Sequence, residues 1–236
     1  MQLFISPLYS KQDNTITISD ERIIHQCFHV LRYKSWQTLQ LQDNWARYTL
    51  SITSISKKEI QTTITNTEEK ENSTLNTSNL TLLIALPNRR DKAELIIQKC
   101  TEIGIDQIIF WKAERSILRE LPDKKLQRLE TISLEASEQS FRRSLPTITY
   151  LDNLIESDIL SSSQIILFHQ DWTSPKQLTT SNLQLLTSIV GPEWWFSDNE
   201  LQKITNLPNH SMINLWDTIL RMETAAIIWS WLLKNL

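Results

Sequence analysis

Only two glycines, Gly104 and Gly191, occur in a chain of 236 residues, and this scarcity limits the possible folds more than any other feature. At an ordinary share of about 7%, a chain of this length carries about 16. Neither G-x-G-x-x-G nor G-x-x-x-x-G-K can be written anywhere in the sequence. The dinucleotide-binding and phosphate-loop classes built on those loops are therefore excluded. Tryptophan is correspondingly abundant, nine against six phenylalanines, the reverse of the usual order.

The rest of the composition is ordinary. With 40% hydrophobic and 22% charged residues and a mean hydropathy of -0.29, the chain falls in the soluble globular class, as one large domain or two modest ones. A formal charge of -3 gives no overall field to hold a polyanion, so any nucleic-acid contact must be a local patch. Residues 1–62 carry a surplus of two positive charges, which leaves -5 for the remainder. Cys27 and Cys100 form no disulfide framework and suit a reducing cytosol. No export signal is read at the start, and the apolar run around Ile227 to Leu233 is too short to span a bilayer. The expected location is cytoplasmic, with no membrane association.

Up to about residue 62, short alternating segments such as Thr15–Ile18, Thr38–Leu41 and Tyr48–Ile52 are broken by polar turns, which predicts a small β-rich domain or barrel. Asp20 to Arg32 reads as one helix with Asp20 as its N-cap. Gln61 to Asn79 reads as a linker or exposed excursion, placing a boundary between domains 1–72 and 73–236. Strands and helices then alternate. Strands are expected at Leu80–Leu86, Ile105–Trp111, Gln164–Phe168, Ser188–Val190 and Met212–Leu215. Helices are expected at Asp91–Ile103, closed by Gly104, and at Lys124–Ser140, Leu178–Leu186 and Thr218–Lys234. Ser197 with Glu200 forms a capping box ahead of another helix. Such alternation implies an α/β domain with a mostly parallel sheet and ligands beyond the carboxyl ends of its strands.

Generic catalytic patterns are nearly silent. His25 and His29 lie at i and i+4 with Cys27 between them, but no third ligand follows at metal-site spacing, so two polar helix residues are the better reading and no metal is expected. There is no G-x-S-x-G elbow. Arg89–Arg90 and Arg142–Arg143 can be solvated faces or phosphate contacts.

The loops after the strands are more specific. Val190 to Ser197 and Leu215 to Ala226 resemble the "GPEGGFS" and "LGxxILRxETA" segments of the ribosomal RNA small-subunit methyltransferase E family, the uridine-N3 methyltransferases of the SPOUT superfamily. His29–Arg32, Leu83–Pro87, Lys99–Gly104, Glu114–Ser116 and Glu135–Arg142 resemble that family's "HVLR", "ALPK", "KATELG", "ERS" and "EAxEQSxR" stretches, in the family's order. The resemblance implies a PUA-like β-barrel followed by an α/β SPOUT domain with a C-terminal trefoil knot, working as a homodimer on 16S ribosomal RNA or the small ribosomal subunit. It implies S-adenosylmethionine held by loops matching Leu167, Phe168 and His169, Val190 to Phe196 (Val190, Gly191, Pro192, Glu193, Trp194, Trp195, Phe196), and Leu215, Trp216, Ile219, Leu220 and Thr224.

RNA contact is expected from Arg22, Arg32 and Lys34 in the first domain and from Arg89, Arg90, Arg115 and Arg142 in the second. Arg221 and Glu223 are expected in the first turns of the last helix, pointing roughly 200° apart. Arg221 is assigned the catalytic role of steadying charge on the uracil, and Glu223 a structural one. The departures are Asn88 where the family has Lys, with Arg89, Arg90 and Lys92 close by, and Trp36, Trp194, Trp195 and Trp216 where it has glycine. An indole cannot replace glycine where the backbone takes φ > 0 or approaches a ligand closely. Two explanations follow: a catalytically inactive RNA-binding homodimeric paralogue, or UGA codons read as glycine by the source organism and written here as tryptophan. The second accounts for both odd counts at once, and Trp45 and Trp229 fit it too.

Overall fold

In a computed structural model the chain divides into two compact units, one of residues 1–72 with 138–144, the other of residues 73–137 with 145–236. The structure describes residues 1–69, 79–118, 120–154, 159–168, 185–213 and 219–235.

The first unit is a six-stranded sheet of β1 (Leu3–Ile5), β2 (Tyr9–Gln12), β3 (Thr15–Ile18), β4 (Thr38–Gln42), β5 (Ala46–Ile55) and β6 (Ile60–Glu69), in the order β1-β4-β5-β6-β3-β2. Among the described strands of this unit, only β1 and β4 pair in parallel. Alternation in β5 puts Ala46, Tyr48, Leu50 and Ile52 into a core shared with Phe4, Ile16, Ile18, Leu39 and Leu41, as a period of two requires of a half-buried strand. The predicted excursion from Gln61 is instead the body of β6, which pairs with β5 and β3. Its Thr-rich sequence suits a pleated surface even though it carries few apolar residues. Positions 70–78 of that excursion lie outside the described residues.

The expected helix from Asp20 is shorter and two-part. Asp20 Oδ1 accepts the Arg22 and Ile23 amides at 2.9 and 3.3 Å and starts α1 (Glu21–His25), which passes into a π-helical turn at Gln26–Val30. Arg32, at φ +51, ends it in the left-handed region. With glycine scarce, the described residues at positive φ apart from Gly104 are Asp13, Arg32, Trp36, Phe141 and Trp195, all bearing a Cβ.

The second unit is a wholly parallel sheet of β7 (Asn79–Ala85), β8 (Gln107–Trp111), β9 (Thr147–Leu151), β10 (Gln164–Phe168), β11 (Leu185–Val190) and β12 (His210–Ile213), in the order β12-β10-β11-β7-β8-β9. Its helices are α2 (Arg90–Ile103), α3 (Asp123–Gln139), α4 (Ile159–Ser162), α5 (Asp198–Thr205) and α6 (Met222–Lys234). Runs such as Leu82-Leu83-Ile84-Ala85 are buried throughout, as strands covered on both faces must be. Gly104 closes α2 at φ +112, its amide donating to the Cys100 and Thr101 carbonyls. Three expectations need correction. Leu185 and Leu186 belong to strand β11, not to a helix, and positions 178–184 of that expected helix lie outside the described residues. Strand β9 was not foreseen. Helix α6 begins at Met222, so Arg221 is its N-cap with extended backbone, φ -64 and ψ 150.

Candidate functional site

Because the described strands of the second unit all run the same way, the loops after β7, β8 and β11 leave the same end of the sheet at which β10 ends. The chain moves outward from β7 to β9 and then crosses to the other side of β7 through β10 and β11. A crevice at such a reversal is where open α/β sheets hold ligands.

The loop after β11 is built around Gly191. A Cβ there would stand 2.6 Å from Phe196 Cε2, because the buried Phe196 ring lies against this backbone and stacks on Trp111 with centroids 6.1 Å apart. The Trp195 amide donates to the Pro192 carbonyl at 3.0 Å and closes a turn, with Trp195 at φ +68. The capping box is present as expected: Ser197 Oγ accepts the Glu200 amide at 3.1 Å and Glu200 Oε2 accepts the Ser197 amide at 2.8 Å. The buried Glu200 also accepts the Glu114 amide at 2.8 Å through Oε1, tying the loop after β8 to the start of α5. Hydrogen bonds from Ser197 and Asn199 hold the Glu114 carboxyl below the usual carboxylate range.

Three further elements meet at Glu193. Lys92, in the first turn of α2, donates to Glu193 and stands 3.6 Å from Glu223 of α6. Asn88 donates to the same carboxylate, while its Oδ1 accepts the Ile117 amide at 3.2 Å. The Glu193 carboxylate holds the Lys92 ammonium above its ordinary range. Glu223 Oε2 is buried with no hydrogen-bond partner among the described residues. On the neighbouring strand, Phe168 at the end of β10 stacks on Trp229 of α6 with centroids 3.1 Å apart, well inside the roughly 4.5–7 Å of ordinary aromatic pairs.

Comparison with known proteins identifies this arrangement. Residues 73–234 match the family model of the RNA methyltransferase domain. The chain belongs to that family. It is similar to the ribosomal RNA small subunit methyltransferase E of Rickettsia conorii, 28% identical over 226 residues that cover 92% of this chain and 88% of the relative. It is also similar to that of Mesomycoplasma hyopneumoniae, 29% identical over 223 residues that cover 92% of each. In fold it matches the Neisseria gonorrhoeae ribosomal RNA small subunit methyltransferase E bound to S-adenosyl methionine, with a TM-score of 0.83 at 22% identity, covering 100% of this chain and 97% of that one. The family read from the motifs is therefore the right one.

Within this RNA methyltransferase domain, Leu167 and Phe168 end β10, Val190 ends β11, Gly191 to Phe196 form the loop just described, and Thr224 lies in the first turn of α6. Ile219 and Leu220 precede that helix, Ile219 being exposed. His169, Leu215 and Trp216 lie outside the described residues. Arg89 is the N-cap of α2 and pairs with Asp91; Arg90 is the first residue of α2 and pairs with Glu94. Arg115 donates to the Trp194 carbonyl at 3.4 Å.

In the first unit, Arg32 and Lys34 are exposed, whereas Arg22 is committed to Glu138 at 2.9 Å and to the Ile5 carbonyl at 3.1 Å. Arg142 was expected in the second domain, but the segment 138–144 packs with the first unit. There Gln42 and Arg47 donate to its carbonyl. Sequence reasoning missed the bridging role of Asn88 and the second bond of Glu200. Both depend on which loops the strand order brings together. Among the described residues no group of three His, Cys, Asp or Glu is placed to hold a metal, and no helix is long and apolar enough to cross a membrane.

Proposed function

We propose that this chain uses S-adenosylmethionine to methylate N3 of a uridine in 16S ribosomal RNA, as a cytoplasmic homodimer with a PUA-like barrel in residues 1–72 and a knotted SPOUT domain in residues 73–236. The observation that carries the reading is the Gly191–Phe196 loop at the strand-order reversal, in a chain similar over most of its length to proteins named for this activity. The residues fit the cofactor. Gly191 leaves no room for a side chain against Phe196, so backbone alone borders the crevice there, and the buried Glu223 Oε2 has acceptor capacity to spare.

Leu167, Phe168, Val190 to Phe196, Ile219, Leu220 and Thr224 would hold the cofactor, together with His169, Leu215 and Trp216. When bound, S-adenosylmethionine supplies a methyl group that its sulfonium already makes electrophilic. The chain's remaining work is orientation and charge. The base must be splayed from any stack to present N3, and fixing it in line removes much of the entropic barrier. Arg221, exposed at the N-cap of α6, steadies the negative charge that spreads over the uracil as N3 loses its proton. Glu223, two residues further on and beside Lys92, shapes the loop.

The reading includes glycine at positions 36, 194, 195 and 216 in the protein as its source makes it. Trp36 and Trp195 support this directly, both holding φ near +67, where an L residue costs about 1–2 kcal/mol relative to glycine. The crowded Phe168–Trp229 stack extends the argument to Trp229.

Calorimetric titration of S-adenosylmethionine into the chain as written and into a version with glycine at these four positions tests the site. Tight binding is expected only for the second. Primer extension on 16S ribosomal RNA then reads the product, because a methyl on N3 blocks pairing and halts the polymerase. In the glycine version, Arg221→Ala should slow single-turnover transfer while leaving cofactor affinity and the dimer mass unchanged. RNA binding by both versions with no methyl transfer by either would establish the inactive paralogue instead.

A further inference from the structure

A cavity of about 270 Å³ opens in the second unit beside the candidate site, between the loop after β7 and the first turns of α2 and α3. Its floor is apolar, formed by Leu86, Leu118, Leu121 and Leu129, and its rim carries Arg89, Arg90, Lys125 and Arg128. The acidic lining residues are Glu94 and Glu120, which leaves a surplus of two positive charges. Glu94 already accepts from Arg90 at 2.6 Å and lies 3.7 Å from Arg128. These pairs are exposed on their cationic side, and such pairs are held by only about 0–1 kcal/mol, so the guanidinium groups can exchange a carboxylate for another anion.

The volume sits just below the roughly 300–1,000 Å³ of sites that enclose a drug-sized ligand. It suits one flat ring system and little more. An apolar floor under a guanidinium rim matches a nucleotide, whose base takes the leucines and whose phosphate takes the arginines; guanidinium planes also stack on unpaired bases. Asn88 lines the cavity and also hydrogen-bonds Glu193 in the loop after β11, so cavity and candidate site share this residue.

We propose that this cavity receives one unpaired nucleotide of the RNA substrate, flanking the base that is methylated, with the base against Leu118, Leu121 and Leu129 and its phosphate on the Arg89–Arg90–Arg128 rim. This inference rests on the RNA methyltransferase reading above and adds to it a point of sequence or shape selection apart from the methyl-transfer crevice. It also gives a use to Lys125 and Arg128, which no motif singled out.

The test uses the full chain with 16S ribosomal RNA carrying photoreactive 4-thiouridine. Filter binding across a salt series is combined with mass-spectrometric mapping of crosslinks. Leu121→Trp fills the cavity from a half-buried position without removing charge, and Arg128→Gln removes one exposed cation. For the wild-type chain a crosslink is expected within residues 86–129. Leu121→Trp should lose that crosslink and weaken RNA binding about tenfold with an unchanged salt slope. Arg128→Gln should reduce the slope by about one unit. S-Adenosylmethionine affinity, measured in the glycine version, should not move with either substitution. If wild type binds RNA while both variants bind within twofold of it, the cavity proposal fails and the function stands. If wild type binds no RNA under any salt condition, the reading beneath it fails as well.

Discussion

Replacing Gly191 by alanine isolates one steric contact. The added methyl would lie 2.6 Å from Phe196 Cε2 and 2.9 Å from Cδ2 and Cζ, whereas carbon atoms rest at about 3.5–4.0 Å. The ring must therefore withdraw by roughly 1 Å, and Trp111, stacked at 6.1 Å and fully buried, limits where it can go. Overpacking of this kind costs about 1–3 kcal/mol. At about 2–4 °C per kcal/mol for a unit of this size, the melting temperature should fall by about 2–12 °C. Circular dichroism gives the transition. Adding Phe196→Leu removes the ring edge, so the double variant should be more stable than the sum of the two single losses predicts, by about 0.5–3 kcal/mol. A Gly191→Ala protein that melts within 1 °C of wild type, or strict additivity in the double variant, would refute the argument that this loop is set by backbone-to-ring contact.

Three other perturbations follow from the same structure. Arg22→Ala strands the buried Glu138 carboxylate, whose side chain is 4% exposed, and should cost the first unit about 2–4 kcal/mol in urea denaturation; an unchanged midpoint would show that the pair is replaceable by water. Burial pushes the Cys27 and Cys100 thiols up to about 12, so neither should react with a chromogenic disulfide at pH 8 until urea exposes them; a prompt reaction of the native protein would contradict their burial. Lys92→Met leaves Glu193 and Glu223 without their shared cation and should weaken S-adenosylmethionine binding by the glycine version about tenfold, while Lys92→Arg keeps most of it. Because the Lys92 ammonium is held above its ordinary 10.5, this contribution is fully present below that pH and is lost only as pH rises through the raised value. Binding by the parent protein should therefore be level from pH 7 to 10, and a decline near pH 9 would exclude Lys92 as the organising charge.

Local signals were the most legible part of the fold. Asp20, Ser197 and Gly104 mark helix ends because a cap needs only its own neighbours, and the buried runs at Leu82–Ala85 and Ile108–Trp111 declare strands without reference to a partner. Strand β6 was hidden because its threonines are polar by composition and become strand only by pairing with β5 and β3. The site was legible as motifs and not as contacts. Nothing in Asn88 alone says that it will join Ile117 to Glu193, since that depends on β7 and β11 lying side by side. Arg221 shows the limit of boundary reading: a start four residues late changes a helical residue into a cap and removes the angle argued between it and Glu223.

The first unit is not a continuous piece of chain. Its last segment, 138–144, follows some seventy residues after β6 and comes only once α2, β7, β8 and most of α3 have been made. At about 5–20 residues per second the ribosome takes roughly 4–15 s to deliver that segment, and until then Ile5, Arg22, Gln42 and Arg47 lack their partners in it. Synthesis therefore cannot finish the N-terminal unit before beginning the next. For the same reason a protease cutting between residues 69 and 79 would release an N-terminal fragment missing its closing segment, so separate expression of residues 1–72 should give a less stable product than the unit has within the whole chain.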